Sequence, residues 1–220
     1  AGNLYAVATF GNVSSAPLEM PLKDGSSTSL AVTNNWGEDY LLVKFNKDGE
    51  ILWATSIGSK FRENGTPDVT VGEDGNPVIC GVFNAANGNL MNESEEKREF
   101  YIGEQKYLLY PEQSKESALV KLNSTDGSVM WSRYFTGTGN QEVLKVQAVS
   151  GSNAVAVTGK ANNQIIVEGS AGLSTETVTH VSGADHLFVI SFDVDGKLLW
   201  SKSASGDTSS EGKEISSDDL

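Results

Sequence analysis

Cysteine is almost absent from this 220-residue chain: Cys80 stands alone. A single thiol excludes an internal disulfide and any cysteine cage for a metal. Basic residues are scarce, 16 Lys and Arg against 29 Asp and Glu, giving a formal charge of −13 with no Lys/Arg cluster to break the pattern. Such a chain repels polyanions, so neither nucleic acid nor an anionic membrane surface is an expected partner. Apolar runs are short, Leu187 to Ile190 being four residues long. A spanning helix needs about 18, so membrane insertion is not expected either. The opening AGNLYAVATFGN has no basic start or apolar middle, so any export signal was removed or lay upstream. An apolar content of 38% is still enough to build a core.

What the chain does have is internal repetition. Three segments match: VKFNKDGEILWATS (Val43 to Ser56), VKLNSTDGSVMWSR (Val120 to Arg133) and ISFDVDGKLLWSKS (Ile190 to Ser203). A second motif follows the first two, as GNPVICGVF at Gly75 to Phe83 and SNAVAVTGK at Ser152 to Lys160. Its third copy is at the start of the chain, GNLYAVATF at Gly2 to Phe10. Trp53 to Trp131 is 78 residues, Trp131 to Trp200 is 69, and Trp200 through the termini to Trp53 is 73. The chain therefore reads as one segment, 1–220, of three units, approximately 3–75, 76–152 and 153–220, the last completed by 1–2. Glu214 to Leu220 running into Ala1 to Val7 resembles the turn around Asp74-Gly75, so the ends look like halves of one hairpin.

Each unit reads as strands. NLYAVATF, DYLLVKFN, EILWATSI and PDVTVGED alternate or run apolar over five to eight residues and are bounded by turn dipeptides. Asp48-Gly49, Asp126-Gly127 and Asp195-Gly196 are expected to supply positive φ angles for tight hairpins. A further hairpin is expected at Leu18 to Val32, Phe100 to Tyr110 and Ile165 to Val181, with a polar insert, Asn84 to Glu99, in the middle unit. The predicted fold is all-β and β-propeller-like, a partial propeller or half of a six-bladed ring, because closed rings need about four to eight blades. Either the chain is a fragment of a longer parent, which the cut ends favour, or two copies assemble as a homodimer in which each end strand completes the partner's broken blade.

The repeated Asp-Gly-x-h-h-Trp core (h, apolar), preceded by h-Lys-h-Asn and followed by Val-x-Val-x-x-Asp-Gly-Asn, resembles the bacterial β-propeller repeat of secreted and surface proteins. It is also similar to the repeat of quinoprotein-like propellers, in which the Trp of one blade docks on its neighbour. The resemblance implies a fold and an extracytoplasmic location, periplasmic, cell-surface or secreted, and brings no catalytic residue with it. Active quinoproteins of this kind hold their cofactor with calcium and often a disulfide between neighbouring cysteines. This chain has only Cys80, which takes an apolar repeat position and is expected to pack as a small hydrophobe.

Candidate chemistry is sparse. The two histidines, His180 and His186, flank a Gly183-Ala184 turn as a weak metal pair with Asp185, short of a fixed third ligand. Asp193-Val194-Asp195-Gly196 resembles the start of a calcium loop, but Ala204 stands where an EF-hand needs Glu, and a hairpin turn accounts for it. No nucleophile elbow is present. For binding, residues that break the repeat matter most. Asn35 and Trp36 lie in a polar loop, where an aromatic beside amides suits a sugar ring or a protein anchor. Tyr107 and Tyr110 with the insert form a second irregular patch. The expected function is a non-enzymatic binding or assembly scaffold recognising protein or glycan, without cofactor. The alternative is a glycoside hydrolase or quinoprotein-like oxidoreductase with its site on the central channel of a complete ring.

Overall fold

The computed structural model describes residues 2–11, 17–30, 38–59, 65–84, 98–103, 105–109, 115–170, 172–179, 183–204 and 206–218. Among them the chain forms seventeen β-strands and no helix, the all-β class its periodicity predicts. In chain order these are β1 (Leu4–Gly11), β2 (Leu18–Pro21), β3 (Ser27–Leu30), β4 (Glu38–Phe45), β5 (Ile51–Ser59), β6 (Asp68–Val71), β7 (Pro77–Asn84), β8 (Arg98–Ile102) and β9 (Gln105–Leu109). There follow β10 (Lys115–Leu122), β11 (Val129–Thr136), β12 (Gln141–Val149), β13 (Ala154–Ala161), β14 (Ile165–Gly169), β15 (Glu176–Thr179), β16 (His186–Phe192) and β17 (Leu198–Ser203). They make four antiparallel sheets, ordered β1-β4-β5-β8-β9, β6-β7-β10-β11-β14-β15, β12-β13-β16-β17 and the separate hairpin β2-β3.

The three large sheets share one central triplet: β1-β4-β5, β7-β10-β11 and β13-β16-β17. The N-terminal strand thus fills the position that the second motif fills in the other two units, with Val7 opposite Leu42 as Cys80 is opposite Leu119; in the third unit the register is offset by one, Val157 facing Ile190. In each triplet a bulge falls at the same repeat position, Lys44/Phe45, Lys121/Leu122 and Ser191/Phe192. The turns that follow are wider than a two-residue hairpin. Only the glycine adopts positive φ, +81° at Gly49, +74° at Gly127 and +80° at Gly196, while the preceding Asp does not. In the first and third turns Asn46 and Asp193 accept backbone N–H groups from two and four residues on, which fixes the loop without a second left-handed residue.

Strand pairing crosses the boundaries drawn from sequence. β6 precedes residue 76 and β12 precedes residue 153, yet each joins the following unit's sheet, because each is hairpin-paired to the strand after it. The extra hairpins move the other way: β8-β9 adds to β5 and β14-β15 adds to β11, so each extends the outer edge of the preceding unit's sheet. β2-β3 pairs with no larger sheet and instead covers one face of the first, where Met20 and Leu30 pack with Leu41 and Val43.

The cores lie between sheets. Alternation along β10 sends Ala118, Val120 and Leu122 into the layer shared with the first sheet and Leu119 into the layer shared with the third. Both faces of the middle sheet are buried, which is why β10 reads as a nearly unbroken apolar run. In the second layer Phe135 stacks on Phe188 and meets Phe192 edge-on, and in the first Phe100 meets Tyr134 edge-on. Cys80 sits in that second layer, 1% exposed, and burial pushes its thiol far above the ordinary range.

Replacing Trp131 by Ala empties a buried site and should cost about 3 to 5 kcal/mol in urea unfolding. Gly196→Ala should be worse than Gly151→Ala. Both meet a positive-φ penalty of about 1 to 2 kcal/mol, but a Cβ at 196 comes within 2.7 Å of the Trp131 ring while one at 151 meets nothing.

Candidate functional site

Two features organise the polar chemistry: the joint between neighbouring sheets, and the end of the sheets where the unequal connections attach. At the joint, Trp53 and Trp131 reach across to the next unit's turn. Trp53 Nε1 donates to the Ser124 carbonyl at 3.1 Å and Trp131 Nε1 to the Val194 carbonyl at 2.8 Å. The same carbonyls accept from Lys44 and Lys121, the latter at 3.1 Å. The turn glycines, Gly127 and Gly196, lie against the indole faces. Lys121 is 2% exposed and also pairs with Asp74 at 2.6 Å. Burial works to raise the Asp74 carboxyl, but the bonds from Lys121 and Asn76 outweigh it and hold the group below its usual value. Arg133, fully buried, donates Nε to the Gly196 carbonyl and Nη1 to the Ser174 carbonyl, tying the joint to the β14-β15 hairpin.

Between the edge strands β6 and β12 the joint of the second and third sheets is made by side chains accepting from backbone. Asp68 and Thr70 of β6 accept the N–H groups of Val146 and Ala148 of β12, both at 3.0 Å, and Glu73 accepts from Gly151. All three pairs are 78 residues apart, the unit spacing.

The other feature follows from strand direction. The Asp-Gly turns all lie at one end of the sheets. At the opposite end lie the start of β4, β10, β12 and β16 and the close of β1, β5, β7, β11, β13 and β17. Chain segments 31–37, 60–64, 85–97, 110–114 and 180–182 therefore all enter or leave strands at this end. Polar groups are buried here at one repeat position: Asp39, Glu116 and His186, at 0%, 3% and 2% exposure. Reading composition alone, His186 has no histidine counterpart in the other units; the repeat alignment shows that its position is polar in all three.

Next to His186, Lys160 lies among three carboxylates, Glu211 at 3.1 Å, Asp185 at 3.6 Å and Glu142 at 3.9 Å. Desolvation works against the Lys160 ammonium, but the Glu211 bond and the surrounding acids outweigh it and raise its affinity for the proton. Glu211 was not singled out from sequence, although it stands 69 residues after Glu142, one unit on. Among the described residues no group of three or more His, Cys, Asp or Glu side chains is placed to hold a metal ion.

The remaining sequence candidates divide. Asn35, Trp36, Tyr110 and His180 lie outside the described residues. Tyr107 is in β9 opposite Phe100. Asp193 caps its own turn through Oδ1, and Asp195 sits within that turn. His186 and Asp185 are at the start of β16, with Asp185 joined to Lys160.

The Lys160 cluster sets a pH dependence. A raised lysine pKa contributes stability that is complete below the unfolded value near 10.5 and is lost as pH climbs through the folded value. Lys160→Met should therefore lower stability by about 1 kcal/mol at pH 7, the scale of a partly exposed ion pair. The gap to the wild type should close above the folded pKa, as read by urea unfolding across alkaline pH.

No protein-family model matches the chain, and no curated protein matches it.

Proposed function

We propose that the three large sheets are blades of a β-propeller and that the chain is a non-enzymatic binding scaffold of an extracytoplasmic protein, recognising protein or glycan at the end of the blades where the unequal connections attach. The observation that carries this reading is the division between the two ends. One end repeats, with near-identical Asp-Gly turns and indole joints that build the scaffold. The other differs from unit to unit, and sequence places Asn35 and Trp36 in the segment entering β4, and Tyr110 in the segment entering β10. Variation on a rigid repeat is where repeat folds put recognition. The joints supply the rigidity that such a surface needs, since each is fixed by an indole, a backbone carbonyl and, in the first two units, a lysine.

Acidic groups at this end, including Asp39, Glu116, Glu142, Asp185 and Glu211, favour neutral or basic ligands over anionic ones. A neutral glycan stacking on Trp36, or a basic protein surface anchored by it, fits both the charge and the aromatic.

A glycan array and a pull-down with the native chain test the reading. At least one neutral glycan or protein should bind, and Trp36→Ala should weaken that binding by about tenfold or more without shifting the urea midpoint. Silence in both assays, or binding indifferent to substitutions at 35, 36, 107 and 110, would sink it.

A further inference from the structure

The two flanks of the sheet stack are complementary. On the third sheet Trp200 is 46% exposed, whereas Trp53 and Trp131, its repeat equivalents, are 8% and 6% exposed beneath the next unit's turn. Leu199 beside it is 51% exposed. β17 is the last strand of its sheet, although its equivalents β5 and β11 each receive a hairpin from the following unit.

Residues 206–218, which form no strand, run along the third sheet in the position a next sheet's first strand would take. Leu187 N–H donates to Ser210 Oγ at 3.0 Å, Gly212 N–H to the Gly159 carbonyl at 3.0 Å, and Ser217 Oγ to the Ala148 carbonyl at 3.0 Å. Ser117, the equivalent of Leu187, likewise contacts β12 through Val143 and Gln141. Residues 214–218 alternate exposed and half-buried, the pattern of an extended strand with one face covered.

The opposite flank holds what this one lacks. Among the described residues β1 ends its sheet with no strand on its other side, where β7 and β13 are paired with β6 and β12. The Asp48-Gly49 turn has the geometry of the two turns that receive indoles, yet a Cβ at Gly49 meets nothing within 4 Å, whereas those at Gly127 and Gly196 meet Trp53 and Trp131. β2-β3 keeps its packing on the first sheet but has no edge strand to join. Leu4 of β1 is 64% exposed.

We propose that the Trp200 flank of this chain docks on the Asp48-Gly49 flank of a second copy, head to tail. In this joint Trp200 Nε1 donates to the Lys47 carbonyl, the equivalent of Ser124 and Val194. Residues 210–218 pair with this edge of the partner's β1, and the partner's β2-β3 adds to β17. The interface extends the one already made twice within the chain, which is the reason for choosing a second copy over an unrelated protein. Two such joints give six blades and leave none of these edges open, a heterologous contact that closes. The inference rests on the blade reading above and is independent of which ligand the other end takes.

Sedimentation and light scattering of the full chain test it. At about 100 µM, where a micromolar interface is saturated, the wild type should run at twice 23.4 kDa. Trp200→Ala should return it to the single-chain mass, with circular dichroism unchanged because the side chain is half exposed. Gly49→Asn tolerates the left-handed turn and blocks the indole from the other side, and should do the same. Mixing the two variants should restore a one-to-one dimer, since one intact joint remains. A wild-type monomer, a dimer that survives both variants, or variants that fail to recombine would each overturn the head-to-tail joint. A monomer that still binds glycan or protein through Trp36 leaves the recognition reading standing, and a dimer without such binding leaves only the assembly.

Discussion

The joint between an indole and the next unit's turn is the constraint that the rest of the chain obeys. A turn carbonyl must point at Trp Nε1, a glycine must lie under the ring, and the same glycine must adopt positive φ to close the hairpin. Few residues meet both conditions, because any side chain at Gly127 or Gly196 would press on the indole while paying the left-handed penalty. The turn is therefore both the end of one hairpin and the socket of the neighbouring sheet. Lys44 and Lys121 add a charged donor to the same carbonyl, and the burial of Lys121 is offset by Asp74. Ser191 replaces the lysine in the third unit and bonds within its own sheet to the Val155 carbonyl, so the third flank carries Trp200 without a lysine beside it.

Sheet edges explain the second layer of the architecture. An antiparallel sheet standing upright in a stack has an outer edge exposed along its whole length, a site for unwanted pairing. The chain covers β5 and β11 with hairpins that belong in sequence to the following unit. The second and third sheets are in this way joined three times: by side chains between the edge strands β6 and β12, by the indole at the turn, and by the hairpin at the opposite edge. Arg133 connects the last two, with Nε on Gly196 and Nη1 on Ser174.

The part of this that is local in sequence was legible. Asp-Gly followed by an apolar pair and Trp marks turn, strand and anchor within eight residues, and its period located the third copy of the second motif at the chain's start. Pairing between units was not legible, because a hairpin such as Phe100 to Tyr110 carries the same alternation whichever edge it joins. Residues 206–213 escaped for a different reason, while Glu214 onward was read from sequence only as half of a hairpin with the chain's start. Rich in Ser, Gly and acids, residues 206–213 have a single β-branched residue, Thr208, and the 69-residue offset from β12 is what marks them as strand-like. Asp39, Glu116 and His186 were hidden inside apolar strands. Each is unremarkable singly, and the signal is that one repeat position is polar three times.

Stacking also distributes stability unevenly. In a linear array each unit draws on its own hydrogen bonds and on the joints to its neighbours, and a terminal unit has one joint where an inner one has two. The middle sheet is buried on both faces of β10, with Leu119 and Val120 pointing into opposite layers. Among the described residues, the large apolar residues that remain exposed include Leu4 on the first sheet, Leu18 on the β2-β3 hairpin that covers it, and Leu199 and Trp200 on the third, against Val71 and Met130 on the middle sheet. A chain built this way is held together from its centre, where the middle sheet has a joint on either side.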